Sequence, residues 1–244
     1  MNDDNVIICV EDYIKFMKIF KIKKKSMEEI AYDEICGVYV YQILDNKFIT
    51  FSVGCYSIYQ YEEGHVESYG DDFEIDDIDM KILCGINKNE IAIYYNKDGK
   101  IYGKNAYIKF YDIENNKEVK TLKLGNYISG RKMLLFDEKD LIVEYNYKLV
   151  LLDPMKKFIK KEFKLTKNEE IYCMNKLNNQ LLFFSDNDHM YLYEIMKDKI
   201  NLIGKRKFEI MLNYYMFNKY PDNKLIMGIY DKYKKVEKIA IYGY

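Results

Sequence analysis

The stretch DLIVEYNYKLVLLDP, residues 140–154, decides the fold. Two short apolar strands follow one another in it, the first starting at Leu141 and the second registered on Leu151. The same hairpin recurs along the chain. First strands start at Val6 (NVIICV), Phe48 (KFITFSV), Ile91 (EIAIYY), Leu141, Leu181 (QLLFFS) and Leu225 (KLIMGIY), at intervals of 40 to 50 residues. Second strands register on Phe16 (YIKFMK), Ile58 (YSIYQY), Phe110 (YIKFYD), Leu151, Leu192 (MYLYEI) and Ile241 (IAIYGY) with similar spacing. Tyr13-Ile14-Lys15-Phe16 recurs literally as Tyr107-Ile108-Lys109-Phe110. A fixed period of this length marks a repeat architecture of six units.

Polar turns precede most first strands: Asp45-Asn46, Lys88-Asn89, Lys139-Asp140, Asn178-Asn179 and Asp222-Asn223. Asn and Asp suit such turns because they tolerate left-handed backbone and bond their own main chain. Between hairpins lie two further short segments, such as KEVKTLKL (117–124) with KMLLF (132–136), and FIKKEFKL (158–165) with IYCMNKL (171–177). Each period therefore holds four strands, and insertions such as the loop of Lys97-Asp98-Gly99 and Gly103 fall between them. The first strands are apolar on both alternation faces, Ile91 and Ile93 on one side and Ala92 and Tyr94 on the other. A sheet with one wet face would alternate polar and apolar residues, so these sheets are covered on both sides.

Four-stranded units of this length, stacked face to face, describe the blades of a β-propeller. The chain resembles WD40-type repeats, and the resemblance spans nearly all of it. The Trp-Asp dipeptide of that family corresponds to Tyr111-Asp112, Leu152-Asp153, Tyr193-Glu194 and Tyr59-Gln60, and is lost at Met17-Lys18 and Tyr242-Gly243. The family's Gly-His signature is absent, since the two histidines are His65 and His189. The resemblance implies a propeller whose loops bind partners. A β-sandwich is the rival reading and leaves the six-fold spacing without a cause. Helical solenoids are disfavoured by short runs rich in Tyr, Ile, Phe and Val.

The expected architecture is all-β: one WD40-like propeller domain over residues 1–244, with about six four-stranded blades and the first and last incomplete. In blade order the chain begins on a second strand and stops after a third. Unpaired sheet edges would remain. The chain is then either a piece of a larger propeller or an open ring closed by a strand from a partner. Residues 26–35, SMEEIAYDEI, are compatible with a helix carrying Met27, Ile30 and Ala31 on one face, and equally with a loop leading to an outer strand.

Composition narrows the function. Lys and Arg number 38 against 39 Asp and Glu, a formal net charge of −1, and the arginines are Arg131 and Arg206 alone. General nucleic-acid binding is disfavoured, because it needs a basic excess and draws heavily on Arg. Cys9, Cys36, Cys55, Cys84 and Cys173 stand singly with no CxxC pair, which predicts reduced thiols rather than disulfides or a zinc site. No apolar run reaches the length of a membrane span or signal segment, and no Asn-x-Ser/Thr sequon occurs. A cytoplasmic or nuclear location is expected.

No constellation predicts catalysis, a cofactor or a metal. GNYISGRK, residues 125–132, superficially matches a phosphate loop, but Arg131 stands where Lys is needed, Lys132 where a hydroxyl is needed, and a strand follows instead of a helix. It reads as an inter-blade turn. The acidic tract DDFEIDDID, residues 71–79, and the group Asp186, Asp188 and Glu194 lack the glycine of a calcium loop. The tract reads as a solvated loop suited to a basic protein surface. His65 and His189 have no nucleophile at recognisable spacing, and residues 21–25, KIKKK, read as the exposed turn of an outer strand. The proposed innermost strands, GVYVYQI, KILCGI, KMLLF and IYCMNKL, are mostly apolar, which argues against a channel-lining enzyme. The expected function is a non-catalytic protein–protein interaction scaffold. The alternatives are a small-molecule or glycan-binding propeller using the 26 tyrosines, and a propeller enzyme.

Overall fold

The structure, a computed structural model, describes 23 β-strands between Asn5 and Tyr242. It also describes connecting residues 69, 88–89, 105, 113–116, 138–139, 146–147, 154–157, 165, 196 and 199, with side chains described mainly within 47–207. The chain divides into two compact units, Met1–Asn126 and Tyr127–Tyr244.

In the first unit, β1 (Asn5–Cys9), β2 (Phe16–Lys23) and β3 (Ser26–Glu34) form a three-stranded sheet. The second sheet is β4 (Tyr39–Leu44), β5 (Lys47–Ser52), β6 (Cys55–Glu62) and β7 (His65–Ser68), with β8 (Phe73–Glu74) also paired to β6. The third is β9 (Asp79–Asn87), β10 (Glu90–Asn96), β11 (Ala106–Asp112) and β12 (Lys117–Gly125).

In the second unit, the fourth sheet is β13 (Lys132–Asp137), β14 (Asp140–Tyr145), β15 (Lys148–Asp153) and β16 (Phe158–Lys164). The fifth is β17 (Ile171–Leu177), β18 (Gln180–Ser185), β19 (His189–Ile195) and β20 (Ile200–Lys207). The sixth holds β21 (Phe217–Tyr220), β22 (Lys224–Asp231) and β23 (Val236–Tyr242). Every sheet is an antiparallel meander in chain order, except that β8 returns to pair with β6. The first strands of successive sheets adjoin within each unit: β4 lies beside β9, and β17 lies beside both β13 and β21.

The repeat read from sequence appears as a repeated register. Phe48 faces Tyr59, Ile91 faces Tyr111, Leu141 faces Leu152, Leu181 faces Tyr193 and Leu225 faces Tyr242. In each of these five pairs the partner is the residue just after the expected anchor of the second strand. The first hairpin differs, since Val6 faces Phe20 and not Met17. Its repeat-equivalent anchor is Ile19, so the literal match of Phe16 with Phe110 misplaces the register by three residues. A second regularity agrees. The ladder between third and fourth strands shifts at Ile19/Phe20, Phe110/Tyr111, Leu151/Leu152 and Leu192/Tyr193, the same place in each repeat. In the second sheet the fourth strand is broken into β7 and β8 at that level, where the Tyr69 amide donates to Ile58 O at 2.7 Å.

Each shift leaves one residue of the outer strand without a ladder partner: Ile30, Val119, Lys160 and Ile203. Such bulges bend the outer strand and re-aim its side chains. Of residues 26–35, Ser26–Glu34 form the outer strand β3 rather than a helix, and residue 35 lies outside the described residues. So short a helix is marginal on its own, whereas strand pairing satisfies the open edge of β2. Within the lysine run, Lys21 and Lys23 lie in β2, and 24–25 lie outside the described residues.

The middle strands are buried on both faces, as their apolar runs require. Ile91, Ala92, Ile93 and Tyr94 of β10 and every residue from Leu141 to Tyr145 are buried. In the first unit Leu83, Ile91, Ile93 and Tyr111 pack against Ile49, Tyr56 and Ile58 of the second sheet. In the second unit Phe136, Ile142, Leu149, Leu151 and Phe163 pack against Ile171, Met174, Tyr191 and Tyr193 of the fifth. Each large apolar side chain buried in this way contributes about 1.5–3 kcal/mol. The outer strands β12 and β16 are largely exposed.

Candidate interaction surface

The aspartates in the Trp-Asp position work as turn builders. Asp112 Oδ1 accepts from the backbone amides of Glu114 (3.1 Å) and Asn115 (3.0 Å), and Oδ2 accepts from Asn115 Nδ2 (2.8 Å). Asp153 Oδ1 accepts from the amides of Met155 (3.0 Å) and Lys156 (2.8 Å). Both turns span four residues and end in left-handed backbone, at Asn116 (φ 48°) and Lys157 (φ 55°). These bonds favour the ionised acid. The Asn115 side chain and amide hold the Asp112 carboxyl below its ordinary range, and the Lys156 amide, with the charge of Lys160 nearby, does the same for Asp153. The residue before the acid packs inward: Tyr111 is buried in the core and its hydroxyl donates to the side-chain oxygen of Asn116.

At the same sheet end, the turn from third to fourth strand is tied to the turn from first to second. In the third sheet the Ile113 amide donates to Asn89 O at 2.9 Å, and Asn89 Nδ2 donates to the Glu114 carboxylate. Pro154 occupies the Ile113 position in the fourth sheet and has no amide hydrogen. There Lys160 Nζ donates to Lys139 O (2.6 Å) and Asp140 Oδ1 (2.7 Å). The turns between first and second strands are built by residues one or two positions ahead of those expected from sequence: Asn87 Oδ1 accepts from the Asn89 amide at 2.9 Å, and Asp137 Oδ1 from the Lys139 amide at 2.7 Å.

These fixed turns and the outer strands beside them present apolar side chains to solvent. In the second unit Met155 is 61% exposed, and Phe158, Met196, Leu202 and Ile203 are also exposed. In the first unit Val119 is exposed, as is Tyr69, over whose ring Lys47 Nζ lies at 3.4 Å.

The opposite ends of the third and fourth sheets carry related polar clusters. Tyr95 stacks on Tyr107 at 5.4 Å between ring centroids, with Lys109 Nζ 5.6 Å from the Tyr95 ring and 3.2 Å from Glu118 Oε2. Burial pushes the Tyr95 hydroxyl above its usual range. Burial opposes ionisation of Glu118, but the Thr121 hydroxyl, donating at 2.9 Å, and Lys109 hold it below the usual range. Tyr145 takes the Tyr95 position in the fourth sheet and is likewise raised by burial, with Glu162 adding to the effect. Glu162 is bonded to Lys148 Nζ at 2.7 Å. Glu144 is buried on β14 directly opposite Lys132 of β13. The turn between β14 and β15 holds both Asn146 (φ 47°) and Tyr147 (φ 59°) in left-handed backbone, an uncommon conformation for a bulky residue.

The other residues singled out from sequence fall on separate strands or outside the described residues. His65 begins β7 and is exposed, and His189 begins β19, 6.1 Å from the Tyr191 ring; the two lie in different units. Among the described residues no three His, Cys, Asp or Glu side chains cluster as metal ligands. Gly125 ends β12 at φ 126° and Lys132 opens the strand β13, while Arg131 lies outside the described residues. Of the acidic tract, Glu74 lies in β8 and Asp79 in β9, and of the second acidic group Glu194 lies in β19; Asp71, Asp186 and Asp188 lie outside the described residues. Cys84 is half-buried, and its thiol donates to Gly85 O at 3.5 Å. Among the described residues no helix is long and apolar enough to cross a membrane. The exposed apolar residues escaped the sequence reading because strand periodicity marks apolar residues as core and does not register which strand is outermost.

No protein-family model and no curated protein matches the sequence. Solved structures do match. A protein of unknown function from Bacteroides caccae is 9% identical, with a TM-score of 0.65 over 98% of this chain and 89% of that one. The WD40 β-propeller domain of Doa1 is 10% identical, with a TM-score of 0.56 over 93% and 86%. Hsv2 of Kluyvelomyces marxianus is 10% identical, with a TM-score of 0.57 over 99% and 82%. The fold is a β-propeller. Its sheets are the blades, the first and last of them three-stranded among the described residues. Identities this low establish the propeller fold and nothing of the activity.

Proposed function

We propose that this propeller is a non-catalytic protein-interaction platform of the cytoplasm or nucleus. The reading rests on one observation: the exposed Met155 sits on a turn held by Asp153 hydrogen bonds, beside the exposed Phe158 that opens the outer strand β16. A rigid apolar anchor loses little conformational freedom on binding and is the kind of residue that dominates interface energetics. The near-neutral net charge and the scarcity of Arg suit a protein partner better than nucleic acid. Affinity capture from native extract with the wild-type chain and with Met155→Glu/Phe158→Glu tests it. A partner retained by the wild type and lost by the double variant is the expected result, and recovery of none by the wild type would overturn the reading.

A further inference from the structure

β20 closes the fifth sheet and, among the described residues, pairs on one side only, with β19. It differs from the outer strands β12 and β16 in two respects. Those strands carry both signs of charge, and their acids are engaged within the sheet, Glu118 with Lys109 and Glu162 with Lys148. Lysine on an exposed edge repels an uncharged or basic guest strand, and only carboxylates on the guest offset it. β20, INLIGKRK, carries no acid at all, and Lys205, Arg206 and Lys207 crowd its end. The β19 residues facing Lys205 and Lys207 are Tyr191 and His189, neither of them acidic, and Lys205 Nζ lies 5.1 Å from the Tyr191 ring. At the other end Leu202 and Ile203 are 44% and 46% exposed, where the bulge frees Ile203 from the ladder.

We infer that the open edge of β20 accepts an extended segment of a partner protein as an added strand, with apolar residues against Leu202 and Ile203 and carboxylates against Lys205 and Lys207. Main-chain bonds to the unpaired edge supply affinity, and the asymmetry of β20, apolar first and basic last, sets the direction and register of the guest. The positive end attracts an acidic segment and rejects a basic one, and exposed lysines make that attraction salt-dependent. The inference rests on the platform reading and names the chemistry of one partner site on it.

The test uses the full chain and a fluorescent synthetic peptide, four alternating Val and Thr residues followed by four Glu, with its reversed sequence as a second probe. One of the two should bind saturably by anisotropy, and Lys205→Glu/Lys207→Glu should weaken that binding by at least about tenfold. Leu202→Thr should weaken it separately. N-methylation of alternate amides leaves the side chains intact and removes the pairing hydrogens, so it should abolish binding. Both variants alter exposed side chains, and unchanged far-UV circular dichroism confirms that they fold. Equal binding of the N-methylated peptide, equal binding to the double lysine variant, or no binding of either probe overturns the inference. A captured partner that is lost by Met155→Glu/Phe158→Glu but kept by the lysine variant would sink the β20 site alone, whereas capture of none by the wild type would sink the platform reading.

Discussion

Lys160 Nζ donates to the carbonyl oxygen of Lys139 at 2.6 Å, and so does for the fourth sheet what the Ile113 amide does to Asn89 in the third. The substitution of partners follows from Pro154, which has no hydrogen to give. The residue that takes over is the one the bulge leaves out of the β15–β16 ladder. Lys160→Ala should cost about 1 kcal/mol in urea unfolding, since it removes both this bond and the Asp140 contact. Pro154→Ala restores an amide at the Ile113 position and should reduce that cost. Strict additivity of the two changes would contradict the shared role.

Asp153→Ala should destabilise by about 1–2 kcal/mol, because two turn amides lose their acceptor. Asp153→Asn keeps an oxygen in place and should recover most of the loss in the same denaturation measurement.

Acid should act on the same turns. A carboxyl held low in the folded chain contributes stability above its unfolded value, near 4, and the contribution is lost as pH falls through the lower folded value. With Asp112, Asp153 and Glu118 all held low, the thermal midpoint should be level from about pH 7 to 5 and fall below about pH 4. Asp112→Asn/Asp153→Asn should flatten that fall; an unchanged slope would exclude these two acids as its source.

Tyr147→Gly should stabilise the fold by about 0.5–1 kcal/mol, since glycine accepts the left-handed backbone that Tyr147 is forced to adopt at φ 59°. An unchanged denaturant slope together with a raised midpoint is the signature to look for. A loss of stability would show that the tyrosine ring packs well enough to outweigh the strain.

Phe110→Ala should cost about 3–5 kcal/mol, because Phe110 is fully buried in a strand covered on both faces. Val119→Ala, on the exposed bulge of the next strand, should stay within about 0.5 kcal/mol. Urea midpoints of the two variants measure the contrast.

The hairpin repeat was legible because burial on both faces leaves a mark that survives sequence drift: runs such as Leu141–Val143 with no polar alternation, returning at a steady period. The literal match of Phe16 with Phe110 misled for the same reason that short motifs mislead elsewhere. Register is decided by hydrogen bonding along the whole ladder, which places Phe20 opposite Val6. The helical spacing in residues 26–35 likewise yielded to the open edge of β2.

The candidate surface was much less legible. Met155, Leu202 and Ile203 are apolar residues among others, and a linear pattern assigns them to the core. Their exposure follows from membership of the outer strands and turns, a property of neighbours distant in the chain. Lys160 could be read as one more surface lysine until the sheet brought it across β15 to Lys139 and Asp140. Composition and period were sufficient for the strand content, the six-fold count and the four-stranded blade, because these depend on local propensity and on how much apolar surface each segment must hide. Tertiary structure alone assigned the edges, bulges and turn ties, because those depend on which backbone groups find partners across the sheet and which are left facing water.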